Sequence, residues 1–514
     1  MALLLDNATY FTAVKAVLEQ ARRSILLIGW MFDPRTCLNP GDENPQSSVE
    51  IGSLLNTLAR ERPELDIRLL IWDAALPITA SRHGFPQRGK GWLDDRIRFR
   101  LDGSHPVGAC HHQKILVVDD MVAFCSGGDF STERWDTSAH LDQDPRRRLP
   151  SGAIHEPRHG LTMMVEGAVA KALGDFGRER WRRATGEDPE RPGQSPGTSP
   201  WPEYVAPLLT DVPVGIARTG PAWKHYPAVR ENEALFLEAI AAAGNTLYIE
   251  NQYFASSKIG AAIKARLAEP DGPEIVVVCS PRSPSLFDHV VMDAARDALV
   301  ADLGAADPYG RFRAYAPQAP EGRGIILHSK VMIVDDRFLR VGSSNLNNRS
   351  MGLDTECDLA IEAGEAEQEA KTRAAIRSVR NCLVAHFLGC SEERFEEALA
   401  DHGSLIAAIE RLDGPTLRRL QPLQPSGAGM IGWLAARPHL GDPESAADTW
   451  RPWRRHKGPA QVPWLAVTAM AGAALIACWA IRSRAHPAIR RVRRCGGTSP
   501  WKASRGWPAA HRGP

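Results

Sequence analysis

The sequence predicts an α/β protein made of two pseudo-symmetric halves packed as one body, and three observations carry that expectation. A helical pattern that feeds a buried-strand pattern occurs near the start of the chain and again after residue 230. The same short run of histidine, lysine and aspartate occurs once in each copy. Between the copies lies a stretch too rich in Pro and Gly to hold a core. At 514 residues the chain is also long for one typical core.

Taken in order, residues 7–20 place Phe11, Val14, Val17 and Leu18 at helical spacing, and the chain runs through Ala21, Arg22 and Arg23 into an apolar strand over 24–30. Further strands are expected at 66–72 and 115–118 and a helix over 167–182, completing a first half at 1–185. A linker follows at 186–215, where Pro189, Pro192, Pro196, Pro200 and Pro202 alternate with Gly and Ser. The second half, 216–400, repeats the opening with a helix over 233–243 and a strand over 245–254. Strands at 274–279 and 331–334 and a helix at 365–388 come next. An α/β sandwich results.

Residues 401–461 are expected to finish a helical stretch over 391–412 and continue as a Pro- and Arg-rich tether. The tether leads to an uncharged run over 462–481, which at about 20 residues is long enough to cross roughly 30 Å of hydrocarbon as a single apolar helix. The basic tail 482–514 has too few aliphatics to fold and is expected to be disordered. Met1 to Tyr10 lacks a basic start and a sustained apolar stretch, so no signal peptide is expected. The localisation implied is membrane-associated through one C-terminal span, with the side occupied by the body left open.

Lys plus Arg number 62 against 61 for Asp plus Glu, so no global field draws the protein to polyanions and no nucleic-acid partner is expected. Any anionic substrate has to be held by local charge. The nine cysteines are scattered, without the density of a disulfide framework or the spacing of a zinc site.

The chemistry sits in two identical patterns of His-x-Lys-x4-Asp: His112, Lys114 and Asp119, then His328, Lys330 and Asp335. On a strand, residues two apart share a face, so each His and Lys project together while the aliphatics that follow anchor the strand. An imidazole beside an ammonium suits a phosphodiester, since one supplies a nucleophile or proton and the other neutralises phosphate oxygens. After the first pattern come Ser126, Gly127, Gly128 and Asp129, and after the second Gly342, Ser343, Ser344 and Asn345. Small residues there let the backbone approach a phosphate, with Ser343 and Asn345 offering hydrogen bonds. His111 falls on the opposite strand face from His112 and is read as packing, as are Cys110 and Cys125. Trp30, Trp72 and Trp135 read as core or pocket walls.

These residues resemble the paired HKD motifs of the phospholipase D superfamily. The Gly-Gly-Asp and Arg-Trp-Asp continuation of the first copy, with Ile249-Glu250-Asn251-Gln252-Tyr253-Phe254 ahead of the second, is similar to the larger phosphatidylcholine-hydrolysing members. The similarity runs from about residue 7 to about 390, and Ser126 stands where such members usually have a glycine. No N-terminal lipid-binding module precedes the body, which leaves membrane docking to 462–481.

The resemblance implies two phospholipase D-like sandwich halves and hydrolysis of a membrane glycerophospholipid through a phosphohistidine. His112 is then the nucleophile and His328 the acid and base, although pseudo-twofold symmetry leaves the reverse assignment open. Lys114, Lys330, Ser126, Gly127, Asp129, Ser343 and Asn345 would surround the phosphate, with Asp119 and Asp335 as supports. Glu356 matches an acidic position of the family and either orients a catalytic histidine or is a solvated loop acid. No cofactor or metal is expected, because two ammonium groups replace the usual cation clamp, and a monomer is expected. Transfer to an alcohol, as in cardiolipin synthesis, is the rival within the superfamily, followed by nuclease action. A non-catalytic scaffold is disfavoured by two intact motifs.

Overall fold

The computed structural model describes residues 1–41, 48–74, 86–193, 198–283, 285, 288–364, 369–414, 418–424 and 441–446. Met1–Arg455 forms one compact unit, and the second unit, His456–Pro514, lies outside the described residues.

The unit is built on two mixed sheets. The first contains β1 (Ala2–Leu5), β2 (Ser24–Gly29), β3 (Asp66–Trp72), β4 (Arg98–Asp102), β5 (Ile115–Val118), β6 (Val122–Ser126) and, beyond the short β7 (Arg158–His159), β8 (Leu161–Glu166). Its order is β1-β8-β6-β5-β2-β3-β4. The second holds β9 (Gly215–Gly220), β10 (Val229–Arg230), β11 (Thr246–Asn251), β12 (Glu274–Cys279) and β13 (Phe312–Gln318). After β14 (Ile326–Leu327) it gains β15 (Lys330–Val334), β16 (Phe338–Gly342), β17 (Glu356–Glu362) and β18 (Arg419–Pro422). Its order is β10-β9-β17-β16-β15-β11-β12-β13-β18.

Both sheets pair their motif-bearing strand antiparallel to a central strand, β5 to β2 and β15 to β11. Both then continue in parallel, through β3 and β4 in one and β12 and β13 in the other. Parallel neighbours need a crossover, which helix Ile51–Glu61 supplies between β2 and β3 and helix Ser257–Leu267 between β11 and β12. Strands covered on both faces read as unbroken apolar runs, as Ile25-Leu26-Leu27-Ile28 and Ile275-Val276-Val277-Val278 do.

Alternation along a strand sends neighbours to different cores. Leu26 and Ile28, with Ile115 and Val117, join a cluster shared with Val331, Ile333, Val341 and Leu359 of the other sheet. Ile25, Leu27, Leu116 and Val118 pack instead against helix Asp6–Glu19 through Phe11, Val14 and Leu18. The outer face of the second sheet buries Ile249, Ile275 and Met332 against Phe236, Ile259 and Ile263. Each such side chain removed from water contributes about 1.5–3 kcal/mol before entropy is set against it. The shared cluster is what fixes one sheet against the other.

Two segments differ from the sequence reading. Within 401–461, helices Glu392–His402 and Leu405–Leu412 are followed by β18, which pairs with β13 and buries Leu420 completely. Asp442, also placed in the tether, is buried and caps helix Asn348–Gly352, accepting from Asn348 N and Arg349 N at 3.0 and 2.9 Å. Pro422 ends β18 at the edge of the sheet, where a missing N–H costs little. The membrane expectation is corrected as well. Among the described residues no helix is long and apolar enough to cross a membrane, and the run 462–481 lies outside them, as does 482–514.

Candidate active site

His112 and Lys114 lead directly into β5, and His328 leads into β15, whose first residue is Lys330. The two approaches cross between halves reciprocally. His112 N donates to Thr355 O at 3.0 Å and Thr355 N donates to Cys110 O at 3.0 Å, while His328 N donates to His159 O at 2.8 Å. β7 and β14 extend the second exchange as a parallel ladder. Each motif therefore takes its backbone support from the other half of the chain.

Glu356, at the start of β17, is fully buried, and both its oxygens lie at His112 Nδ1, 3.0 and 2.9 Å away. Ser350 Oγ and Ser343 Oγ each donate to one of those oxygens at 2.6 Å. With hydroxyl donors already on both oxygens, the carboxylate accepts from Nδ1–H and leaves Nε2 of His112 with its lone pair free. Burial pushes Glu356 well above the usual carboxylate range, against the pull of Lys114. Burial, with the Lys114 and Lys330 ammoniums, pushes His112 well below the ordinary histidine value. The two residues are 244 apart in sequence, which left open which histidine Glu356 would meet, and its burial excludes the solvated-loop reading.

The lysines sit alike. Lys114 Nζ donates to His112 O at 2.8 Å and Lys330 Nζ donates to His328 O at 2.9 Å, so each ammonium folds back beside its own histidine. Lys330 also donates to Gln252 Oε1 at 3.2 Å, and Lys114 stands 3.5 Å from Asp129 Oδ2. Burial and then repulsion from Lys114 and Arg134 press Lys330 well below the ordinary lysine value. Two ammoniums and Arg134 held in so little water form a strong attractor for an anion. His328 is depressed too, by burial and then by Arg134 and Lys330.

Gly127 lies where the halves meet, since a Cβ built on it would fall 2.5 Å from His328 O and 2.8 Å from Lys330 Cδ. Only glycine fits there without displacing backbone. Ser126 Oγ accepts from Gly128 N at 2.8 Å and from Thr162 Oγ1 at 3.0 Å, holding the turn. Asp129 Oδ1 accepts from Trp30 N and Met31 N at 2.8 and 3.1 Å. Ser343 N donates to Asp358 Oδ1 at 2.7 Å, and Asn345 N donates to Ser350 Oγ at 3.1 Å. Asn345 Oδ1 is buried and has no hydrogen-bond partner among the described residues. Trp30 stacks on Trp72 at 5.6 Å and meets His112 edge-on at 6.5 Å, forming one wall. His111 is fully buried, with Nδ1 2.8 Å from Thr355 Oγ1.

Asp119 and Asp335 stand just past the far ends of β5 and β15, seven residues or about 22–24 Å of extended chain from the motif histidines. Each carboxylate accepts three successive backbone N–H groups. For Asp119 these are Arg22, Arg23 and Ser24 at 2.8, 2.7 and 2.8 Å; for Asp335 they are Gly244, Asn245 and Thr246 at 2.6, 2.7 and 2.7 Å. Both residues adopt positive φ, 55° and 51°, which Asp tolerates better than most side chains. They tie the start of the central strand to the end of the motif strand. Asp119→Asn, which retains the shape but can no longer accept all three donors as an anion, is expected to cost about 1–3 kcal/mol of stability in urea unfolding. Its kcat should stay within a factor of two of wild type.

Gln252, Ser350, Thr355 and Arg134 join the site without having been chosen from sequence. Gln252 and Arg134 lie inside the runs that carried the resemblance, so their signal was present but undirected.

Two half-sites, one from each motif, complete one another across the interface between the two sheets. The family described as "Cardiolipin synthase, PLD-like domain" matches residues 236–375. Phospholipase D beta 2 of Arabidopsis thaliana is 24% identical, over 74% of this chain and 56% of its own length. Cardiolipin synthase A of Pseudomonas putida is 25% identical, over 71% of this chain and 66% of its own length. The chain thus spans between half and two thirds of these relatives. A solved phosphatidylserine synthase from Haemophilus influenzae overlaps 74% of this chain and 86% of its own, at 15% identity and a TM-score of 0.48. These similarities support membership of the phospholipase D superfamily.

Proposed function

We propose that this protein hydrolyses membrane glycerophospholipids of the phosphatidylcholine kind to phosphatidate and free head group, with 1–185 and 216–400 as the two halves of one site. The observation that carries the reading is the His112–Glu356 pair lying close enough to Lys114 and Lys330 for both ammoniums to depress the His112 pKa. A buried carboxylate on Nδ1 fixes the tautomer and stabilises the positive ring that results when Nε2 bonds to phosphorus. This asymmetry favours His112 over His328 as nucleophile.

In the first step Nε2 of His112 bonds to phosphorus as the bond to the head-group oxygen breaks, and His328 gives that oxygen its proton. Water then attacks phosphorus, His328 takes the proton back, and the phosphorus–nitrogen bond breaks to release phosphatidate. Lys114 and Lys330 offset charge on the non-bridging oxygens throughout. In return the bound phosphodiester counters the cationic surroundings that depress His328, so the acid is charged when substrate is present.

Because His112 attacks unprotonated and its pKa is lowered, the acid limb of kcat/KM should fall below about pH 6.5, the ordinary histidine value, and activity should rise with pH through it. Glu356→Gln should retain the fold and lower kcat roughly 10- to 100-fold, the scale of losing a group that orients a reacting histidine.

A second reading, transfer of the phosphatidyl group to an alcohol acceptor, is favoured by the cardiolipin synthases among the relatives. The test is incubation of the full chain with phosphatidylcholine or phosphatidylglycerol, with and without a primary alcohol, and mass spectrometry of the products. Phosphatidate and choline are expected, with phosphatidylalcohol when alcohol is added. Cardiolipin from phosphatidylglycerol without phosphatidate would establish transfer instead. No turnover of either lipid, alongside cleavage of a soluble phosphodiester, would sink the lipid reading.

A further inference from the structure

Behind the second motif, Asp6, His140, His159 and His386 converge, all buried, with one ligand atom of each within 4.8 Å of every other. His140 Nε2 and His386 Nε2 are 3.0 Å apart, and His159 Nδ1 is 2.9 Å from Asp6 Oδ1. Asp6 Oδ1 is 3.5 Å from His140 Nε2 and Asp6 Oδ2 is 3.7 Å from His386 Nε2. Ligand atoms about 2 Å from a tetrahedral ion stand roughly 3.3 Å from one another, between the 2.9 and 3.7 Å of these four contacts, and no pair exceeds 4.8 Å.

The outer nitrogens point to the same conclusion. His140 Nδ1 lies 2.9 Å from Asp136 Oδ2, and His159 Nε2 lies 3.0 Å from Glu250 Oε2. A carboxylate at the outer nitrogen places the proton there and turns the inner lone pair toward the cluster, the arrangement that orients metal-bound histidines. The inner His159 Nδ1 faces Asp6 Oδ1, while Asp6 Oδ2 is buried with no hydrogen-bond partner among the described residues. Asp6 is delivered by a positive φ of 61°, at the first residue of its helix, a conformation that costs energy unless something at the side chain repays it. Arg418 Nη1 comes within 3.3 and 3.5 Å of the His386 nitrogens, but it also donates to Ser138 O.

We propose that Asp6, His140, His159 and His386 bind a divalent transition-metal ion of the zinc class as a closed, structural four-coordinate site. Three ligands come from the first half and His386 comes from helix Glu369–Leu388, so the ion cross-links the halves. It also braces the second motif, because His159 O accepts from His328 N and Glu250 accepts from Ser329 Oγ at 2.5 Å. A structural ion at this place runs against the expectation of a metal-free protein.

The test is to dialyse the full chain against a chelator and then against cobalt(II) chloride, measuring bound metal by mass spectrometry, the visible absorption and the melting temperature. Expected are about one cobalt per chain, the intense bands of four-coordinate cobalt and a rise in melting temperature of roughly 5–10 °C. His386→Ala, or His386→Gln should the first fail to fold, should lose the bands. Wild-type protein that takes up less than a tenth of an equivalent, or that binds cobalt with six-coordinate spectra unchanged by His386→Gln, overturns the site.

Discussion

His112→Ala is expected to lower phospholipid turnover by at least roughly 10⁴-fold while the protein remains folded, the scale seen when the attacking group of a covalent mechanism is removed. Its side chain is only partly enclosed, and its backbone N–H, not its ring, makes the 3.0 Å bond to Thr355 that joins the halves. Deleting the imidazole therefore leaves the interface in place and strands Glu356 with two hydroxyl donors still bound. His328→Ala should be as damaging in the first step for a natural head group, but should recover in part with a head group that leaves without a proton, such as p-nitrophenol. His112→Ala should show no such recovery. Equal rescue of both variants would reverse the assignment of nucleophile and acid.

Lys330→Ala is expected to reduce kcat/KM roughly 10²- to 10³-fold, as removal of one preorganised donor to a developing anion does. The residue is fully buried, shares its pocket with Lys114 and Arg134, and is held by His328 O and Gln252 Oε1. Packing three cations together costs stability, and a phosphodiester relieves it. The same substitution should accordingly raise the melting temperature of the free protein, or leave it unchanged, while activity falls. A Lys330→Ala variant that loses activity only in proportion to lost stability would show a packing role and not an electrostatic one.

Much of this was legible in the sequence because the central strands carry their own signal. The strands expected at 66–72, 115–118 and 274–279 correspond to β3, β5 and β12 residue for residue, since strands covered on both faces are dominated by apolar side chains. The motif histidines and lysines were legible through spacing. What the sequence hid was partnership at a distance: which acid faces His112, which loop supplies the His328 carbonyl partner, and that Asp6, His140, His159 and His386 meet at all. The edge strand β18 was hidden for a different reason. Its four residues, Arg-Leu-Gln-Pro, have no strand pattern, and only burial of Leu420 on an existing sheet makes them one. A run of uncharged residues at 462–481 was a poor guide to localisation, because length and hydropathy alone do not distinguish a span from other apolar segments.

The reciprocal backbone exchange, His112 with Thr355 and His328 with His159, also bears on how the protein reaches its working state. Each bond closes a loop far longer than either sheet needs to form its central parallel strands, and such closures gain nothing until both ends are already ordered. The pocket is thus a product of docking rather than of either sheet's own folding. A chain with both sheets complete but undocked carries every group of the two motifs without the backbone exchange that brings them together, so the assembled site appears only with docking.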